Sequence, residues 1–524
     1  MKKNKLSIFI LLFLIIAIFF PLFQMLIRVE WSEFLTILTA SSFREALKNS
    51  LFVTIISTII SIIIAYLLAY AINRTNIKRR AVLKIFITLP MLVPSISHGL
   101  GLINLFGVNG IISQYINVNI IGSAGIIIGS VIYSFPVAFL MFCDGFNYID
   151  NNMYETAKVL NLNKWQTFKT VTYPYMKKPI FSAIFAVFTL IFTDYGVPLA
   201  VGGKFITLPV FLYKEVIGLL DFSTGTIIGL VLLIPAFISF MFDTLSKDYS
   251  NGDFEGIEYR KTDNKLRDVI FTAFTYLCIT SIILIIGSFI YYAFIDNVRL
   301  NPIFSLKHLE YVLSNGIFKY IFNSLFISLL VAIFGTIISY FTAYVTARTE
   351  TKITKFVHIL AISSLAIPGI VLGLSYTITF SSSFIYNTFI ILILANIIHF
   401  MASPYLVAYN ALNKVNKNYE VVAKTCNIST FRIIKDVIIP STKLTIREMF
   451  TYFFVNSMIT ISAVTFLFNS DTMPLSLLIS NYESNMLLGE AAIVSLIILF
   501  FNGLIKIIVY IINRKEDRRK RLCN

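Results

Sequence analysis

Residues 49–75 read NSLFVTIISTIISIIIAYLLAYAINRT, and residues 323–349 read NSLFISLLVAIFGTIISYFTAYVTART. Twelve of these 27 positions are identical at a constant offset of 274, including Asn49-Ser50-Leu51-Phe52 with Asn323-Ser324-Leu325-Phe326 and Arg74-Thr75 with Arg348-Thr349. Biased composition explains the Ile and Leu matches, but not Asn, Tyr and Arg in fixed register. The register continues without a gap to Pro94/Pro368, Gly99/Gly373 and Leu100/Leu374. The chain is therefore an internal duplication, which has to be established before a fold is named.

Each copy is also apolar enough to cross a bilayer. Hydrophobic residues make up 57% of the chain and charged residues 13%, against about 25% charged in soluble domains. Residues 8–27 carry no charge over the roughly 20 residues that a spanning helix needs. That stretch is longer than a secretory apolar core and lacks a small-residue cleavage site, so it reads as a retained span.

Further spans are expected near 51–72, 84–107, 120–142, 180–200 and 223–243, then near 268–293, 321–345, 357–380, 385–411, 446–468 and 490–512. The prediction is an all-α polytopic membrane protein of about 12 transmembrane helices in two parallel six-helix repeats. Helices are expected because backbone groups in lipid must be satisfied within the segment, and the ten-residue alternation of barrel strands is absent. Domain bounds follow at 1–246, a polar linker at 247–266, and 267–524. Parallel repeats of this kind are related by an axis along the membrane normal, with the pathway at their interface.

The net charge of +16 is not a nucleic-acid footprint. Its Lys and Arg residues sit in short clusters between apolar runs: 73–80, 143–179, 259–267, 347–355, 412–447 and 513–521. All fall on one side of the expected topology, as the cytoplasmic side of a cell membrane requires. Both termini are then cytoplasmic. Four scattered cysteines and four scattered histidines show no ligand spacing, so no metal site is expected.

Two large loops on the basic side carry the functional signal. They read YETAKVLNLNKWQTFKTVTYP (154–174) and YEVVAKTCNISTFRIIKDVIIP (419–440), with Ala157/Ala423, Lys158/Lys424, Asn161/Asn427 and Pro174/Pro440 in register at an offset of 266. Glu155 and Glu420 differ by one position in that frame. Each loop reads as two short helices joined at an Asn able to take left-handed φ/ψ, with the Pro ending the loop before the next span. Apolar knobs at Val159, Leu160, Trp165 and Phe168 suit docking into a partner's groove. The alternative is a helix lying on the membrane surface without a partner.

These loops resemble the EAA motif of binding-protein-dependent ABC permeases, Glu-Ala-Ala-x-x-x-Gly followed nine residues on by Ile-x-Leu-Pro. Glu155, Ala157 and Pro174 fit it in the first copy, and Ala423, Ile439 and Pro440 in the second. Asn161 and Asn427 stand where the family usually has Gly, and Asn is the best non-Gly residue for that geometry. The resemblance implies type I ABC importer transmembrane domains. In these, the segments around Glu155, Ala157, Lys158, Asn161 and Pro174, and around Glu420, Ala423, Lys424, Asn427 and Pro440, couple the chain to two copies of a cytoplasmic ATPase. It also implies an extracytoplasmic solute-binding protein. The chain has no GxxxxGK[ST] loop, since GGKF at 202–205 lacks its spacing, so ATP belongs to the partner and no cofactor to this chain.

Within that family, fused double permeases resemble the ferric-iron group, with relatives for 2-aminoethylphosphonate and thiamine. The segment Thr193-Asp194-Tyr195-Gly196-Val197-Pro198 and its counterpart Ser462-Ala463-Val464-Thr465-Phe466-Leu467 carry that likeness. Pro94, Pro368 and Asp194 are pathway candidates, although Asp194 serves equally well as a helix cap. His98 and His399 lie in apolar runs without a histidine at the corresponding place in the other half. An ion-gradient-driven transporter of twelve helices is the rival from another class. That fold would put its longest cytoplasmic stretch between the halves, not within each.

Overall fold

The computed structural model of the chain describes residues 2–113, 115–116, 120–245, 259–296, 298 and 302–523. The part of the expected linker at 247–258 lies outside these residues. Helices dominate, and the only strands among the described residues are Ile295–Asp296 and Ile303–Phe304, an antiparallel pair.

Among the described residues, seven helices are long and apolar enough to cross a membrane: Lys5–Ile27, Ser41–Arg74, Ser123–Asn147, Lys164–Phe192, Lys265–Phe294, Ile317–Arg348 and Leu488–Glu516. Two bent pairs bring the number to nine if each counts as one span: Lys352–Ala366 with Gly369–Phe380, bent by 111°, and Phe389–Phe400 with Ala402–Lys414, bent by 54°. Among the remaining expected spans, 84–107 is not one helix. It breaks into Arg80–Ile87, a 3-10 turn Leu89–Leu92, and Ser95–Phe106. Helices Phe222–Leu245 and Lys443–Ile459 occupy the last two places.

Small residues bring the helices together, as lipid-embedded packing requires. Ser41–Arg74 lies along Ser123–Asn147, where the Ser61 and Ser134 hydroxyls meet at 2.9 Å inside the contact. In the second half the Phe453 ring lies against Gly335, so close that a Cβ there would stand 2.9 Å from it.

The first span of each half packs on the other half. Lys5–Ile27 lies against Lys352–Ser363 and Gly369–Phe380, and the Tyr376 hydroxyl donates to the Ala17 carbonyl at 2.8 Å. Reciprocally, Lys265–Phe294 lies against Ser41–Arg74 and Ser95–Phe106, with Tyr292 donating to the Asn109 carbonyl at 2.8 Å.

Candidate functional site

The two loops singled out by sequence share one architecture. Asp150 caps helix Asn151–Val159 by accepting from the Asn152 N–H at 3.0 Å. The helix ends in a paired closure: Leu162 N–H donates to Ala157 O at 3.0 Å, and Asn161 N–H donates to Lys158 O at 2.9 Å. Such a Schellman end needs a left-handed residue just past the helix cap, the one that donates to Lys158 O, and that residue, Asn161, has φ 53°. In the second loop, helix Asn418–Thr425 ends with Ile428 N–H donating to Ala423 O at 2.8 Å, and Asn427 also has φ 53°. The side chain of Lys424 lies outside the described residues.

Only a residue tolerant of the left-handed region holds this turn cheaply. Asn161→Gly is expected to leave amide exchange across 151–160 unchanged. Asn161→Val is expected to cost about 1–2 kcal/mol and to accelerate that exchange. Identical exchange in all three proteins would show that the turn does not depend on residue 161.

The prolines behave differently from the sequence expectation that they end the loops. The segment after each Asn is helical and runs on toward the next span through a π turn, Phe168–Thr172 in one loop and Ile434–Ile438 in the other. Tyr173 N–H reaches back five residues to Phe168 O, and Ile439 N–H likewise to Ile434 O. Pro174 and Pro440 follow immediately, and the widened turn leaves room for a ring that would otherwise strike the carbonyl four residues back. The first loop therefore joins its span as one helix, Lys164–Phe192.

Burial divides the loop residues into two kinds. Ala157 is 3% exposed and Ala423 4%, so both face inward. Val159 (82%), Leu160 and Trp165 (70%) in the first loop, and Val421, Val422 and Phe431 in the second, present apolar side chains outward. The exposed knobs of the second loop went unnoticed in the sequence, where only burial separates them from core residues.

The acidic residues part company for a geometric reason. Glu155 is two residues before its alanine and points away, where Lys158 donates to it at 2.9 Å. That hydrogen bond holds the carboxyl below its usual range. Glu420 is three residues before Ala423, hence on the same face as the buried alanine, and it accepts from the Tyr344 hydroxyl at 2.8 Å.

At the opposite end of the spans the halves close on each other. Pro94 and Pro368 stand at the breaks, each immediately before a helix, Ser95–Phe106 or Gly369–Phe380. Asp194 caps helix Gly196–Val201, accepting from Gly196 N–H at 3.3 Å and Val197 N–H at 3.0 Å. That helix sits on Ser95–Phe106. Next to Asp194, Tyr195 is buried, with its ring 4.8 Å from that of Tyr213. The hydroxyl of Tyr195 lies near Thr465 and Ser480 of the second half, and the Tyr213 ring lies 6.3 Å from Phe466. The two segments picked out by subfamily likeness thus meet across the junction. A buried contact between the hydroxyls of Ser97 and Ser495, at 2.9 Å, also crosses it.

Comparison with known proteins agrees with this arrangement. The chain is 25% identical over 506 residues to the putative ferric transport system permease protein FbpB 1 of Haemophilus influenzae, covering 90% of this chain and 79% of that one. It is 24% identical over 455 residues to the ferric transport system permease protein FbpB of Actinobacillus pleuropneumoniae, covering 80% and 65%. A thiamine transport system permease protein ThiP of Haemophilus influenzae matches at 25% over 162 residues, 29% of this chain and 30% of the relative. The family described as binding-protein-dependent transport system inner membrane component matches residues 61–248 and, again, 335–518. Both matched segments contain a break at a proline, a loop helix and a junction segment, and the chain belongs to that family, carrying its membrane component twice.

Proposed function

We infer that this chain forms the translocation pathway of an ATP-driven importer. Ferric iron is its cargo, delivered by an extracytoplasmic binding protein. Two copies of a separate cytoplasmic ATPase dock on the loop helices Asn151–Val159 and Asn418–Thr425. The loops lie on the cytoplasmic side, with both termini. The observation that carries the reading is the duplicated loop helix, packed inward by an alanine and outward-facing through apolar knobs. An outward apolar patch on each of two equivalent helices fits two copies of one partner groove. Ferric cargo is supported by the two ferric transport permeases that match along most of this chain; the thiamine permease matches over less than a third of it.

Mechanistically, closure of the ATPases on ATP moves the loop helices. Because helix Lys164–Phe192 continues from loop into span, that motion reaches the pathway without a hinge at Pro174. The halves rock about their shared axis and part at the junction of Tyr195 and Tyr213 with Thr465, Phe466 and Ser480. Pro94 and Pro368 fix the breaks beside that junction, and Asp194 holds the capping helix that carries Tyr195 to it.

The test is retention of a candidate ATPase by the affinity-tagged chain in detergent. The paired changes Val159→Asp with Leu160→Asp, and Val422→Asp with Phe431→Asp, place charges on exposed positions. Truncating one interface hot spot costs about 2 kcal/mol or more, so retention is expected to fall by at least roughly tenfold while the chain stays monodisperse. Undiminished retention would place docking elsewhere. Uptake into proteoliposomes by the chain alone would give the function to an ion-gradient-driven transporter.

A further inference from the structure

Arg74, the last residue of helix Ser41–Arg74, is buried at the foot of the first half. Its guanidinium carbon lies 5.1 Å from the ring centre of Phe146, 5.2 Å from that of Tyr154 and 4.1 Å from that of Tyr259. Its Nη2 donates to the Phe146 carbonyl at 3.1 Å. Phe146 ends a span, Tyr154 belongs to the loop helix Asn151–Val159, and Tyr259 lies in the segment leading into the second half. Tyr154 and Tyr259 meet edge to face at 4.9 Å.

The segment 259–264 is tied down along its length. Arg260 N–H donates to the buried Asn151 Oδ1 at 2.9 Å, at the start of the loop helix. Lys261 Nζ donates to the Ile72 carbonyl at 3.2 Å. Asn76 donates to Asp263 at 2.9 Å. Asn264 then caps helix Lys265–Phe294, the first span of the second half, by accepting from Arg267 N–H at 3.1 Å.

The second half is built differently at the matching place. Arg348 occupies the position of Arg74, yet its three guanidinium nitrogens are buried with no hydrogen-bond partner among the described residues. Glu420 of the second loop helix is held instead by Tyr344 of its own half.

We propose that residues 259–264 are a brace, with Tyr259 as its positioning residue, through which the first loop helix moves both halves at once. The brace fixes Asn151–Val159 to helix Ser41–Arg74 on one side and to the cap of Lys265–Phe294 on the other. A displacement of this loop helix is therefore delivered directly to the second half, whereas the second loop helix acts through its own half. The role in transmission rests on the docking of an ATPase at Asn151–Val159; the brace itself does not.

The experiment compares wild type, Tyr259→Ala and Tyr259→Phe as full chains in nanodiscs by amide hydrogen exchange. The ring, not the hydroxyl, covers Arg74, so Tyr259→Phe is expected to exchange like wild type. Tyr259→Ala is expected to speed exchange across 151–160 at least tenfold and to leave 418–425 unchanged. Asn151→Ala, which removes the acceptor for Arg260, is expected to act in the same direction should Tyr259→Ala fold poorly. Unchanged exchange at 151–160, or an equal rise at 418–425, would overturn the brace. In the complex with its ATPase, Tyr259→Ala is expected to lower cargo moved per ATP several-fold with ATPase retention unchanged. Normal transport despite faster exchange would overturn the transmission role. Failure of the wild type to retain an ATPase would instead remove the docking reading and leave the brace standing.

Discussion

Ala157→Asp is expected to abolish the native packing of the first loop helix, while Val159→Asp, two residues away, is expected to leave it folded. The methyl of Ala157 belongs to an apolar cluster with Phe146, Ile149, Val171 and Met176. The buried cation beside Phe146, Arg74, is already engaged by the Phe146 carbonyl and by the rings of Tyr154 and Tyr259. An uncompensated buried charge costs several kcal/mol, more than a helix of nine residues can recover from its own hydrogen bonds. Ala157→Asp should therefore expose amides 151–160 and lower the thermal midpoint. At Val159 the carboxylate stands in water and only the outward patch changes. Wild-type exchange in Ala157→Asp would mean that the inward contact does not hold the helix. Loss of an ATPase from an Ala157→Asp protein alone would not separate docking from unfolding, which is why the exposed positions carry the docking test.

Gly196→Ala is expected to be the most damaging single methyl added to the junction. A Cβ at residue 196 would stand 2.2 Å from Ser95 Oγ and 2.7 Å from Ile96 N. Backbone is among the atoms struck, so relief requires helix Gly196–Val201 to lift off Ser95–Phe106. Overpacking of this kind costs about 1–3 kcal/mol, and lifting also carries Tyr195 away from Thr465 and Ser480. Gly287→Ala is the matched control. Its Cβ would meet nothing within 4 Å, and an Ala inside helix Lys265–Phe294 should gain about 0.5–1 kcal/mol. Thermal unfolding in detergent is expected to rank Gly287→Ala at or above wild type and Gly196→Ala well below. Equal midpoints would refute the close approach.

Local features of this architecture were legible in the sequence because local chemistry determines them. The offset of 274 identified the duplication, Asn161 and Asn427 marked left-handed turns, and Pro94 and Pro368 now stand at helix breaks. Asp194 caps a helix, one of the two roles its position allowed. Other features depend on what lies far away in the chain. Nothing local reveals that Glu420 turns inward to Tyr344 whereas Glu155 turns out to Lys158, although the spacing to each alanine explains it afterward. The π turn before Pro174 was missed because a proline after a polar loop also fits a helix start, and only the backbone bonds separate the two. The meeting of Tyr195 with Thr465 and Ser480 joins residues more than half the chain apart, beyond the reach of periodicity.

The exchange of first spans between halves has a consequence for biosynthesis. The Ala17 carbonyl receives its hydrogen bond from Tyr376, 359 residues later, which at ribosomal speeds of about 5–20 residues/s emerges roughly 20–70 s afterward. Until then the N-terminal span rests in lipid with its protein-facing side uncovered, available to chaperones, insertases and quality-control proteases. Carrying both halves on one ribosome product guarantees that the missing neighbour arrives in equal number and at the same place. Two separate genes would leave that meeting to diffusion in the plane of the bilayer.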